Sequence, residues 1–256
     1  MNYLELLGKI AADIRIAVSL STILPLGRAA PLDDGEVARA SWALPVAGLL
    51  VGLVGAVAYA IAHRLGLPPE PAAMLALMMT ILVTGAIHED GLADSADGLG
   101  GGDTRERKLD IMRDSRIGTF GACALIVSIM LRWSALQAIA DPSSVAAAFL
   151  IAHIAARAVM PAFMWLVPPA RTDGLSAGAG QPNPQSAMIA AGLGIVCLAI
   201  GFGPGKAVIA LILLSMAGLL WAFVATRQVG GQTGDILGAL EQTSEIMILL
   251  MAAASV

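Results

Sequence analysis

Apolar runs long enough to cross a bilayer recur along this chain, near 42–63, 71–88, 117–140, 144–167, 187–203, 205–226 and 236–255. A transmembrane helix needs about 20 consecutive, mostly apolar residues. Inside lipid, only helices and closed barrels satisfy every backbone N–H and C=O. Runs of this length read as helices, so the expected fold is all-α: a polytopic integral membrane helical bundle of about seven spans. Composition agrees, because only 13% of the 256 residues are charged, about half the share of a soluble domain. The fifth run is short and glycine-rich, and its boundaries are the least defined. Residues 3–24 are apolar but carry Lys9, Asp13 and Arg15. That segment has two open placements, an amphipathic helix on the interface or a segment dipping into the bundle. A single membrane-embedded domain over 1–256 is the expected organisation.

The charges that remain are distributed unevenly. With the loop 89–116 on the cytoplasmic side, 1–41, 168–186 and 227–235 fall on the same side. Those segments hold Lys9, Arg15, Arg28, Arg39, Arg105, Arg107, Lys108, Arg113, Arg116, Arg171 and Arg227, against Arg64 and Lys206 outside. Cytoplasmic loops carry the excess of Lys and Arg in membrane proteins, so this orientation is expected. It gathers every polar, motif-like loop on one face. Cys123 and Cys197 lie in apolar segments without metal-ligand spacing and read as packing residues. The N-terminus lacks a basic leader, and no cleaved signal peptide is expected.

The acidic run His88-Glu89-Asp90-Gly91-Leu92-Ala93-Asp94-Ser95-Ala96-Asp97-Gly98 begins where the second apolar run ends. Asp90, Asp94 and Asp97 stand at i, i+4 and i+7 and share one helical face. Three carboxylates on one stripe repel each other unless a cation sits among them, and hard oxygen ligands favour Mg²⁺. The spacing predicts a first helix ending at Gly98. A second is expected to be capped by Asp103, with Glu106 completing a capping box. Asp110 and Asp114 then fall at i and i+4 on that second helix. A hairpin with Asp90, Asp94, Asp97, Asp110 and Asp114 facing inward would hold one or two metal ions. Arg105, Lys108, Arg113 and Arg116 flank it, a combination suited to a metal-bound, phosphate-bearing substrate. Glu89 falls on another face and is left out of the nest. His88 is either a structural residue at a helix end or a contact to metal or phosphate.

Other polar residues extend this pattern. Arg227-Gln228-Val229-Gly230-Gly231-Gln232-Thr233-Gly234-Asp235 opens the last apolar run on the same face. A glycine-rich turn at a helix start suits phosphate binding. Glu241 and Glu245 follow inside the last run, and Arg132 and Arg157 lie inside earlier ones. Ionisable groups at such positions usually face the bundle interior; Arg132 and Arg157 read as structural ion pairs, as side chains snorkelling to the headgroups, or as substrate contacts. The Pro/Gly-rich segment 168–184 reads as a long irregular loop.

The motifs together resemble the cobalamin synthase family, the adenosylcobinamide-GDP ribazoletransferases. The resemblance rests on His88-x-Asp90-Gly91-x-Ala93-Asp94-x-x-Asp97-Gly98 and on Asp110-Ile111-Met112-Arg113-Asp114-Ser115-Arg116-x-Gly118-x-x-Gly121. It extends to Gly230-Gly231-x-Thr233-Gly234-Asp235-x-Leu237-Gly238-Ala239 and to Glu245. Leu44-Pro45-Val46-x-Gly48 and Arg171-x-x-Gly174-Leu175 also fit, so nearly the whole chain is covered in order. The resemblance implies transfer of adenosylcobinamide phosphate from adenosylcobinamide-GDP to α-ribazole or its 5′-phosphate, with release of GMP and with Mg²⁺ as cofactor. It implies Asp90, Asp94, Asp97 and Asp114 as metal ligands, and Asp110 as ligand or general base. Asp94, Asp97, Asp110 and Asp235 form the expected catalytic set. His88, Arg113, Arg116, Gly231 and Thr233 are expected at the substrate. The expected partners are these substrates and the lipid bilayer of the cell inner membrane, with no nucleic acid; a homo-oligomer is left open.

Two other classes compete. Asp94-x-x-Asp97-Gly98 and Asp110-x-x-x-Asp114 echo the CDP-alcohol phosphotransferases, but Leu99-Gly100 stands where that family carries Ala-Arg. A transporter would spread its charges along several spans, whereas here they gather at one face.

Overall fold

The computed structural model describes residues 3–25, 35–174 and 178–255. Arg28 and Leu175, which entered the sequence reading, lie outside them. The described residues are helical, with one isolated bridge between Pro169 and Gln232. In chain order the helices are α1 (Tyr3–Ser21), α2 (Glu36–Ala40), α3 (Leu44–Arg64), α4 (Pro69–Thr84), α5 (Ile87–Gly101) and α6 (Arg105–Ile111). They continue with α7 (Thr119–Ile139), α8 (Pro142–Ala158), α9 (Met160–Leu166), α10 (Pro184–Gln228) and α11 (Gly234–Ala253).

Among the described residues, five segments are long and apolar enough to cross a membrane: Glu36–Arg64, Thr119–Ile139, Pro142–Leu166, Pro184–Gln228 and Gly234–Ala253. α10 has 45 residues; at a rise of 1.5 Å per residue that is about 67 Å, roughly twice a hydrocarbon core. It breaks at Gly203 (φ 75°, ψ 164°), just before Pro204. Gly194 and Leu198 from its first half and Leu211 and Leu214 from its second line one apolar cavity. The chain therefore doubles back at the break, between the expected runs 187–203 and 205–226.

The expected span 71–88 is the exception. α4 stops at Thr84, and Gly85 (φ 64°) and Ala86 (φ 59°) turn the chain by 88° into α5. Neither helix qualifies alone as a span; they pass only as a bent pair. The second helix thus ends before the acidic run instead of leading straight into it. Ala86 carries a side chain in the left-handed region, a conformation that surrounding structure must hold in place.

Close helix contacts depend on missing side chains. A Cβ on Gly48 would lie 2.2 Å from the His153 carbonyl oxygen, and one on Gly52 would lie 2.8 Å from that of Phe149. These glycines let α3 press against α8, as small residues do between membrane helices. The first half of α1 is exposed, while its second half packs into the fold. Buried Asp13 fixes that half, accepting from Trp42 Nε1 at 2.9 Å and pairing with Arg39 at 3.0 Å.

Candidate active site

The acidic stripe and the C-terminal motif meet where α5 crosses α11. A Cβ on Gly91 would stand 2.8 Å from the Asp235 carbonyl oxygen and 3.1 Å from Gly238 Cα. One on Gly238 would stand 3.1 Å from the His88 carbonyl oxygen. Glycine on both helices allows backbone contact and carries Asp90 and Asp94, one turn apart, up to the start of α11. The carboxylates whose charge weighs most on Asp94 are Asp90, Asp235 and Asp97. Asp90 is exposed and Asp94 half-buried, so the cluster opens to the surface.

A second loop completes the site. Ala170 N–H donates to the Gln232 carbonyl at 2.8 Å, and Gln232 N–H to that of Pro168 at 2.9 Å. This pairing brings Arg171 Nη2 to 3.2 Å from Asp235 Oδ2, which also accepts from Thr233 Oγ1 at 3.1 Å. Thr233 caps α11, accepting from Ile236 N–H at 3.2 Å. Gly231 packs on the loop, where a Cβ would lie 2.3 Å from the Pro168 carbonyl oxygen. From α6, Arg105 donates to the Ala170 carbonyl at 2.8 Å, and Lys108 bonds Gln228. Basic residues and three carboxylates thus converge on one rim.

The rest of the expected carboxylate hairpin is arranged differently. α5 runs to Gly101, three residues past the expected stop. α6 is capped by Thr104, accepting from Arg107 N–H at 3.2 Å, rather than by Asp103. It ends at Ile111, so Asp114 lies beyond it and does not share a helical face with Asp110. Arg116 grips Asp114 through contacts of 2.6 to 3.2 Å and holds its carboxyl down at about 2. That pair stays ionised at any ordinary assay pH and is lost only under strong acid. Arg113 pairs with Asp173. Asp110 is exposed on α6.

Asp97 is buried, and each of its oxygens accepts a backbone N–H, from Gly118 at 2.7 Å and from Gly121 at 2.8 Å. It caps α7 from another helix, a charge-assisted anchor at a helix N-terminus. A Cβ on Gly121 would lie 2.3 Å from Asp97 Oδ2. Gly121→Ala is therefore expected to cost about 1–3 kcal/mol as an overpacked contact, read as a lower melting temperature in detergent. An unchanged melting curve would remove Asp97 from this anchoring role.

The cobalamin-5-phosphate synthase family matches residues 13–253. The chain belongs to this family. An adenosylcobinamide-GDP ribazoletransferase of Bradyrhizobium diazoefficiens is 65% identical over 98% of the chain and 96% of the relative. One of Mesorhizobium japonicum is 50% identical over 95% and 93%, and one of Azorhizobium caulinodans 41% identical over 95% and 96%. No solved structure matches.

Beneath the rim, this member of the cobalamin-5-phosphate synthase family buries an ionic cluster. Arg132 on α7 reaches Glu89 at 3.0 Å and Glu245 at 3.3 Å. Arg157 on α8 reaches Glu241 at 2.6 Å, His153 Nδ1 at 3.2 Å and His88 Nδ1 at 3.3 Å. Gln242 donates to Glu89 and Glu241 and accepts from Ser128 at 3.1 Å. His88, expected at substrate, is thus turned to the interior. Glu89, set aside in the sequence reading, joins the cluster precisely because it faces away from the Asp stripe. Of the roles left open for them, Arg132 and Arg157 take the ion pair. Arg171 entered the sequence reading only as a loop charge and through the resemblance; no local pattern marks it as the partner of Asp235.

Proposed function

We propose that this chain transfers adenosylcobinamide phosphate from adenosylcobinamide-GDP to α-ribazole or its 5′-phosphate, releasing GMP, in a reaction that requires Mg²⁺. Family membership over nearly the whole chain supports the reaction. The convergence of Asp90, Asp94 and Asp235 on one surface-open rim supports the metal assignment, because like charges that act on one another are relieved by a cation. Their all-oxygen chemistry suits Mg²⁺. Bound there, Mg²⁺ would neutralise diphosphate charge and polarise the attacked phosphorus. Asp90, Asp94 and Asp235 hold the ion in this reading, and Arg171 and Thr233 orient Asp235.

The acceptor hydroxyl oxygen forms a bond to the cobinamide-side phosphorus, and the bond from that phosphorus to the GMP oxygen breaks. The hydroxyl proton passes to a rim carboxylate. Arg105, Lys108 and Arg113 surround the rim with positive charge for the phosphates. Asp97 serves by anchoring α7 to α5. Asp114 acts by fixing Arg116 through their ion pair. The cell inner membrane, with the motif loops cytoplasmic, is supported by the Lys and Arg asymmetry between the two sets of loops.

The test uses purified protein in liposomes with adenosylcobinamide-GDP and α-ribazole 5′-phosphate. GMP and cobamide are expected in equal amounts with Mg²⁺ and neither after chelation. Release that persists after chelation would overturn the metal requirement, and folded protein without product would overturn the reaction.

A further inference from the structure

The apolar cavity between α8, α9 and the two halves of α10 has a volume of about 450 Å³. Much of its wall consists of small residues: Ala158, Ala162, Ala191, Gly194, Gly218 and Ala222. Among the described residues that line it none is charged, and Ser215 supplies the one side-chain hydroxyl. The wall also includes Leu166, Ile195 and Leu219, which are exposed on the outside of the bundle. The cavity therefore opens sideways, on the flank formed by the spanning segments Pro142–Leu166 and Pro184–Gln228. Toward the rim, Val167 of its wall packs in one apolar core with Ala170, Val229 and Ile236.

A void of this size does not stay empty, because the cost of a cavity rises with its volume. Water is a poor filler, since each buried molecule needs two to four polar partners and the lining side chains offer a single hydroxyl. Hydrocarbon remains, and it is the solvent on the side where the cavity opens. The dimensions fit it. Along α8 and α9 the wall runs from Ala155 to Val167, about 18 Å at 1.5 Å per residue. That stretch is the half of Pro142–Leu166 nearer the motif loops. It matches the depth of one leaflet's chains, about half of a hydrocarbon core roughly 30 Å thick.

We propose that this cavity is a binding site for one acyl chain of a phospholipid, drawn from the leaflet on the side of the motif loops. The chain enters past Leu166, Ile195 and Leu219 and lies against the small residues of the wall. The headgroup stays at the membrane surface, outside a cavity whose lining offers it no charged partner. Bound there, the chain supplies the packing that the two halves of α10 lack against α8 and α9, so the lipid is part of the bundle at this point. The site is independent of the rim carboxylates and of the reaction proposed for them.

The test places the full chain in phosphatidylcholine vesicles in which some acyl chains carry a photoreactive diazirine. After irradiation, labelled residues are mapped by mass spectrometry. Surrounding lipid reaches the exposed Leu220 and Phe223, whereas Ala155 and Ala158, at 1% and 4% exposure, are reached by a chain only through the cavity they line. Label on Ala155 or Ala158 is expected in the wild type, beside label on Leu220 and Phe223. Gly218→Leu puts a side chain on the cavity wall, where an added Cβ meets nothing within 4 Å. It is expected to lose the label on Ala155 and Ala158, keep that on Leu220 and Phe223, and melt no lower than the wild type. Gly192→Leu, equally roomy but off the cavity wall, should label as the wild type does. Label confined to exposed residues in the wild type would overturn the proposal, as would label on Ala155 and Ala158 that survives Gly218→Leu.

Discussion

Replacing Asp94 by Asn should lower GMP release by more than about 100-fold while leaving the protein folded and in the membrane. Loss of groups that merely support metal ligands costs about 10–100-fold, and a proposed ligand should cost more. Asp94 stands among Asp90, Asp97 and Asp235, so the change also relieves repulsion. The variant should therefore melt at or above the wild-type temperature. Activity lost without loss of stability is the signature of a group kept for chemistry. Near-normal turnover by Asp94→Asn would remove it from the site.

The largest stability effect should come from Arg157→Ala. Arg157 is fully buried and holds Glu241 at 2.6 Å while facing both histidines. Removing one partner of a buried ion pair costs about 3–5 kcal/mol, because the other charge is stranded. For a chain of this size that is a fall of about 10 °C in melting temperature. Thermal melting in detergent measures it, and a shift of under about 2 °C would mean that the pair carries little of the fold's stability. His88 and Glu89 immediately precede Asp90, so the same loss should loosen α5 at the rim.

The helical membrane architecture was legible because apolar run length and backbone satisfaction leave few alternatives. The Asp90–Asp94 stripe was legible for a similar reason: helical period alone puts both on one face. The union of that stripe with Asp235 needed the crossing of Gly91 on Gly238, a contact between distant segments that no local pattern announces. The Asp110–Asp114 pair failed because α6 ends after about two turns, with Arg113 drawn to Asp173 and Asp114 to Arg116. Hydropathy also missed the turn at Gly85–Ala86, since an alanine gives no sign of a left-handed conformation. Arg132 and Arg157 stood out as charges in apolar runs, but their partners did not. Glu89 is 43 positions from Arg132 and Glu245 is 113 positions from it.

The most direct test is a magnesium titration of GMP release by wild type beside Asp235→Asn. Asp235 sits outside the acidic run, and only the fold brings it to Asp94. If the three carboxylates hold the ion together, the variant needs markedly more Mg²⁺ for half-maximal rate. An unchanged Mg²⁺ dependence, whatever the maximal rate, would contradict a metal site shared by α5 and α11.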